Sequence, residues 1–159
     1  VVNNVETLVN VLDIVSDGGP RFASIGSKGS TGPKLFCVSG DVATPGLYEV
    51  LFGTTLRELL EKAGGTKNIQ SILLGGAAGT FIGADEIDVP LTFEGTREIG
   101  ASLGSGVVMV FGEKANLTDI LLRIAEFFRD ESCGQCVPCR VGTVRVEEAL
   151  HRIAEARMT

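Results

Sequence analysis

Cys133, Cys136 and Cys139 stand in the run ESCGQCVPCR at residues 131–140, each three residues from the next. Equal spacing of this kind lets one loop aim three thiolates at a common point, the arrangement a polynuclear metal centre needs. An iron–sulfur cluster is the leading candidate, although it normally takes four ligands and only three stand together. Gly134 is expected to relieve crowding between the first two ligands. Pro138 is unsuited to a helix interior but favoured in a first turn, so the loop should hand over to a helix near it. Free N–H groups at such a helix start, with its dipole, favour an anionic centre. Arg140, beside the third cysteine, adds positive charge that would raise a reduction potential.

Two other chemistries compete for these thiols. A structural zinc site usually takes its ligands as two pairs, and Cys37 and His151 are the remaining cysteine and histidine from which a set could be completed. Inert or redox-active thiols are a third reading, but buried inert cysteines rarely come as an evenly spaced triplet beside Gly and Pro. Cys37 shares a strand face with Leu35 and Ser39 and reads as a small core residue. His151 lies among charged neighbours and reads as solvated rather than ligating. The glycine-rich stretches GSKGSTG (26–32) and GGAAG (75–79) lack the Lys-Ser/Thr of a phosphate loop, so both read as turns needing positive φ. No Ser/His/Asp set and no isolated acid pair offers hydrolytic chemistry.

The elements around the loop are readable from periodicity. Val5, Leu8, Val9, Leu12 and Val15 fall at helical spacing, and Gly18-Gly19-Pro20 should stop that helix. Residues 22–33 read as a polar, glycine-rich loop. Residues 34–42 and 47–52 form a predicted β-hairpin around the Pro45-Gly46 turn. Thr55 and Glu58 make a capping box for a helix that ends at Gly64-Gly65. Short strands are expected at 71–74, near 81–82 and at 107–111, so a sheet curling around one helix is the predicted α+β unit. Beyond Gly112 the texture becomes helical. Residues 116–130 form an amphipathic helix with Leu117, Ile120, Leu121, Ile124 and Phe128 on one face. A second helix is expected over 141–158, with Val146, Leu150 and Ile153 inward and an exposed Glu148/Arg152 pair. Two such helices cannot bury both stripes alone, which implies further helices or self-association.

The chain has 159 residues and a formal charge of −6, which disfavours nucleic acid and anionic membrane surfaces as partners. No apolar run approaches the ~20 residues that span a bilayer, and no signal peptide is evident. A cytosolic-type chain is therefore expected, in which clustered thiols serve as ligands more often than as disulfides. Val1 stands where a natural start would carry methionine, so the chain reads as a piece of a longer protein.

The cysteine loop ESCGQCVPCRVG closely resembles the cluster loop of the NADH-binding flavoprotein subunits of respiratory complex I. The same loop occurs in related subunits of NAD-dependent formate dehydrogenases and NAD(P)-reducing hydrogenases. The opening VVNNVETL and the block KLFCVSGDVATPGLYEV (34–50) match that family too, in the family's order, so the resemblance runs over essentially the whole chain. It implies a C-terminal portion whose parent carries a Rossmann-like domain for FMN and NADH, then a ubiquitin-like β-grasp domain of the soluble-ligand-binding type, then a helical bundle with a [4Fe–4S] cluster. On that basis residues 1–33 are the tail of the flavin domain, 34–112 the β-grasp domain with trailing strands, and 113–159 a partial helical iron–sulfur domain. Cys133, Cys136 and Cys139 match three cluster ligands, and Asn3 and Asn4 match the segment that contacts FMN.

The resemblance also implies a role. In the parent, electrons taken from NADH by FMN pass singly through the cluster toward the other subunits of a multi-subunit redox complex, cytoplasmic and peripheral to the inner membrane through those partners. Two departures limit the transfer: the family's glycine-rich nucleotide loop and its fourth ligand cysteine are both absent from this sequence. The isolated chain is therefore expected to be inactive and to bind neither FMN nor NADH strongly. The competing class is a β-grasp binding or assembly module with a structural zinc site.

Overall fold

Polar side chains decide where the helices begin. Asn4 accepts the Glu6 N–H through Oδ1 at 2.8 Å and starts α1, Val5–Asp17. Gly18, at φ 92°, closes it. The expected stop at Gly-Gly-Pro is also a restart, because Pro20 sits in the first turn of a short α2, Gly19–Ala23. The five apolar residues read as the stripe of α1 are all exposed, from 56% at Leu8 to 77% at Val15. The computed structural model describes residues 2–65 and 67–155, which fall into two units, Val1–Glu113 and Lys114–Thr159.

The first unit is built on a five-stranded mixed sheet. Its strands are β1 (Pro33–Gly40), β2 (Gly46–Leu51), β3 (Ile69–Leu74), β4 (Thr80–Ile82) and β5 (Val107–Gly112), in the order β2-β1-β5-β3-β4. The hairpin read from sequence is β1–β2, paired from Pro33 with Leu51 to Val38 with Gly46. β1 runs parallel to β5, and β3 runs antiparallel to both β5 and β4. α3, Leu56–Lys62, carries the capping box: Glu58 Oε2 accepts the Thr55 N–H at 2.8 Å, and Thr55 Oγ1 accepts the Glu58 N–H at 3.2 Å. Losing such a cap costs about 1 kcal/mol, enough to matter in a helix of two turns.

Leu56 and Leu59 of α3 share one core with Phe36, Val38, Ile72, Leu74, Val108 and Val110, and most of these are wholly inaccessible. Burying each such side chain contributes about 1.5–3 kcal/mol, so this face outweighs any surface interaction in the unit. Residues 83–106 complete it in a way periodicity does not reveal. A 3-10 turn at Ala84–Glu86 is followed by Ile87, Val89 and Leu91, all buried, and then by α4, Phe93–Glu98. Thr92 caps α4 by accepting the Gly95 N–H at 2.9 Å. Strand polarity corrects one expectation, since Cys37 is exposed and the core face of β1 is Phe36/Val38. β1 is apolar on both faces, and the larger Phe36 takes the covered side.

The second unit is a helix pair: α5, Leu117–Asp130, and α6, Val137–Ala154. Asn116 caps α5 by accepting the Thr118 N–H at 3.1 Å. α6 begins at Val137 rather than Val141, with Pro138 in its first turn, and the expected extension to Met158 falls outside the described residues. Of the inward stripe predicted for α6, only Leu150 is half-buried. Val146 is 55% and Ile153 44% exposed, whereas Glu147 is buried and ion-paired through Oε1 to Nη1 of Arg129 on α5. The position that α6 turns toward α5 is thus a charged one, Glu147. Glu148 pairs with Arg145 at 2.6 Å, not with Arg152. No helix among the described residues is long and apolar enough to cross a membrane.

Candidate metal centre

The three cysteines lie where the α5–α6 connection becomes a helix. Cys133 is in the connecting turn, Cys136 is the N-cap of α6, and Cys139 is in its first turn; all three are exposed. The cap position carries no side-chain hydrogen bond. In the first turn the N–H groups of Val137 and Cys139 have no carbonyl partner within the helix, and Pro138 carries none. Both the partial positive charge there and the donors themselves suit an anionic sulfur centre.

Three side chains shape the loop. Gly134 has φ +75°, and a Cβ built on it would meet only Arg140 Cδ, at 3.9 Å. The left-handed turn itself thus calls for glycine here. Arg140 Nη1 donates to the Gly134 carbonyl at 2.8 Å, so its charge is anchored over the loop from the helix side. Ser132 stands outside the cysteine motif, yet it joins the site. Its hydroxyl accepts the Gly134 N–H at 3.3 Å and lies 3.5 Å from the Cys139 sulfur. A serine two residues before a glycine is a recognisable local turn, and that is the signal for it in the sequence.

Three thiols fall one short of the usual set of four for either a four-iron cluster or a zinc ion. A zinc ion with Zn–S bonds of about 2.3 Å would draw its thiolates to roughly 3.8 Å from one another. Among the described residues, the group of three ligand atoms within 4.8 Å of one another is Glu126, Glu147 and His151, and the cysteines form no such group. That group is itself better read as a brace, because Arg129 already occupies the Glu147 carboxylate and His151 Nε2 stands 3.8 Å from it. Cys37 and His151 lie on β1 and α6 in different units, as a strand-face thiol and a half-exposed imidazole. At the other end of the chain, Asn4 is the α1 cap and Asn3 is exposed just before it. Glu6 follows, its carboxylate accepting the Leu35 N–H at 2.8 Å and Lys34 Nζ at 3.1 Å. Burial pushes the Glu6 carboxyl up, but these two hydrogen bonds and the lysine charge outweigh it and hold it below its ordinary value.

Three thiols gathered at a helix start without a side-chain cap are the kind of set that an iron–sulfur centre uses. Residues 119–159, which contain the cysteine loop, match the NADH-ubiquinone oxidoreductase-F iron-sulfur binding region, and residues 35–71 match the SLBB domain. The chain's homologues are NADH-quinone oxidoreductase F chains. It is 42% identical over 157 residues to the NADH-quinone oxidoreductase F 2 chain of Rhizobium meliloti (strain 1021), covering 96% of this chain and 37% of that protein. The corresponding F chain of Aquifex aeolicus (strain VF5) is 42% identical over 163 residues, covering 100% and 37% respectively. The chain thus spans little more than a third of the relatives' length. The crystal structure of NAD+-reducing [NiFe]-hydrogenase in the air-oxidized state superimposes with a TM-score of 0.88 at 42% identity, over 98% of this chain and 27% of that one.

Proposed function

We propose that this chain is the electron-relay part of an NADH-linked oxidoreductase, with Cys133, Cys136 and Cys139 as three ligands of a [4Fe–4S] cluster. The observation that carries the reading is the placement of three thiols around the uncapped start of α6. When bound, the cluster supplies one-electron transfer between FMN, which exchanges two electrons with NADH, and the next acceptor in the complex. The protein's own contribution is to hold the thiolates with Gly134 and Arg140, and to present first-turn N–H groups to their negative charge. Asn3 and Asn4 precede α1 as an exposed segment available to the flavin, and residues 34–112 serve as a β-grasp scaffold between flavin and cluster regions. Quinone-, hydrogen- and formate-linked complexes are all compatible parents, cytoplasmic and held at the inner membrane through partner subunits.

The isolated chain should be inactive. A four-iron cluster takes four protein ligands, and the one cysteine outside the loop, Cys37, sits on the sheet. Anaerobic reconstitution with iron and sulfide tests this. We expect little stable absorbance near about 400 nm and no stoichiometric four-iron EPR signal from the chain alone, and a full signal from the parent protein. A stable four-iron centre in the isolated chain would refute the ligand assignment. Zinc without iron after anaerobic purification of the parent would favour a structural-zinc binding module instead.

A further inference from the structure

We propose that Ser132 is a positioning residue that donates a hydrogen bond to the Cys139 sulfur and thereby raises the reduction potential of the cluster, an inference that rests on the iron–sulfur reading above. The two atoms are 3.5 Å apart. In a free thiol either could be the donor, but an iron-bound cysteine sulfur has lost its proton, which leaves only the hydroxyl to donate. The hydroxyl is free to do so, because the Gly134 N–H occupies an oxygen lone pair at 3.3 Å and not the proton.

The neighbouring polar groups are engaged elsewhere. Arg140 Nη1 is on the Gly134 carbonyl at 2.8 Å, and Thr143 Oγ1 is on the Cys139 carbonyl at 3.0 Å. Among the described residues, Ser132 is the side chain hydrogen-bonded to a cysteine sulfur of the loop. It is half-buried while all three cysteines are exposed, so water competes for its proton less than for the sulfurs. Reduction adds negative charge that is shared with the ligand sulfurs. A donor hydrogen bond therefore stabilises the reduced state more than the oxidised one, and its loss should make the centre harder to reduce.

The test is an EPR-monitored redox titration of the full-length, anaerobically purified protein carrying this chain. Wild type is compared with Ser132→Thr and Ser132→Val, which share one shape and differ in the hydroxyl. We expect Ser132→Val to keep its iron and its EPR line shape but to titrate at a more negative potential, and Ser132→Thr to remain near wild type. Equal potentials for the two variants with iron intact would overturn the proposal. So would loss of iron in Ser132→Val with retention in Ser132→Thr, since the serine would then only brace the loop. If neither branched variant loads, Ser132→Ala measured against wild type settles the same question by the same criterion. A wild-type protein without a four-iron signal would instead sink the iron–sulfur reading itself.

Discussion

The sheet unit and the helix pair treat their apolar residues in opposite ways. In the first, strands from distant parts of the sequence close over α3, and residues such as Phe36, Leu59 and Ile72 lose all contact with solvent. In the second, among the described residues, the buried side chains are Ala125 and Glu147, while Leu121, Phe127, Phe128, Val146 and Ile153 remain substantially exposed. The unit with the closed core holds none of the loop cysteines, and the unit with the cysteines lacks such a core. Two helices with one stripe each give little tertiary stabilisation. Order in the loop must then come from its own hydrogen bonds, from Arg129–Glu147 and from metal binding, which is coupled to folding wherever the ligands are brought together by the fold.

The largest effect should appear where the core is closed. Phe36→Ala leaves a cavity beneath α3 and is expected to cost about 3–5 kcal/mol, whereas Leu121→Ala, at a position 38% exposed, should cost no more than about 1 kcal/mol. Urea unfolding of the chain, followed by amide signals assigned to each unit, reads the two separately. Comparable losses for the two substitutions would mean that the helix pair is as tightly packed as the sheet unit, and the contrast between them would fall.

What can be read in the sequence divides along the same line. The Thr55–Glu58 box, the Asn116 cap, the hairpin around Pro45-Gly46 and the helix start near Pro138 are all specified within a few residues, and each forms as expected. Expectations that require choosing a face fare less well. β1 offers apolar residues on both sides, so only the arrival of α3 decides that Phe36 is covered and Cys37 is not. On α6 the apolar period points to Val146 and Ile153, but the partner helix brings Arg129, which selects Glu147. Residues 83–106 are hard to read for another reason. Their Ile87, Val89 and Leu91 alternate as a strand would, yet α4 is only six residues long and holds a glycine. The Ser132–Gly134 turn is legible locally, but the contact of Ser132 with Cys139, seven residues on, is not.

A smaller effect should follow from the loop glycine. At φ +75° an alanine at position 134 pays about 1–2 kcal/mol for the left-handed turn, although its Cβ would make only an ordinary contact with Arg140 Cδ. Asparagine tolerates that region better. We expect the parent protein with Gly134→Ala to lose iron faster than wild type during anaerobic dilution with a chelator, and Gly134→Asn to fall between them. If alanine and wild type release iron at the same rate, backbone strain is not what the glycine relieves, and loop order owes more to Arg140 and Ser132. No comparable sensitivity is expected at Gly19, which lies in no left-handed turn and where a Cβ meets open space.

The smallest effect concerns acid, and it belongs to the sheet unit. Glu94 accepts the Ser30 hydroxyl at 2.6 Å and the Ser27 hydroxyl at 2.9 Å, pinning the 26–32 loop to the start of α4. The Ser30 hydrogen bond first, then the local backbone N–H and Ser27, hold its carboxyl below the ordinary value of 4.5. A depressed carboxyl contributes stability that is fully present above the unfolded value and is lost as pH falls through the folded one. Glu94→Gln should therefore lower the thermal midpoint of the sheet unit slightly near neutral pH, and this difference should shrink as the pH approaches about 3. The group is at the surface, so the change will be small and partly screened by salt. A difference that stays constant across that range would show that the serines bind the side chain by shape rather than by its charge.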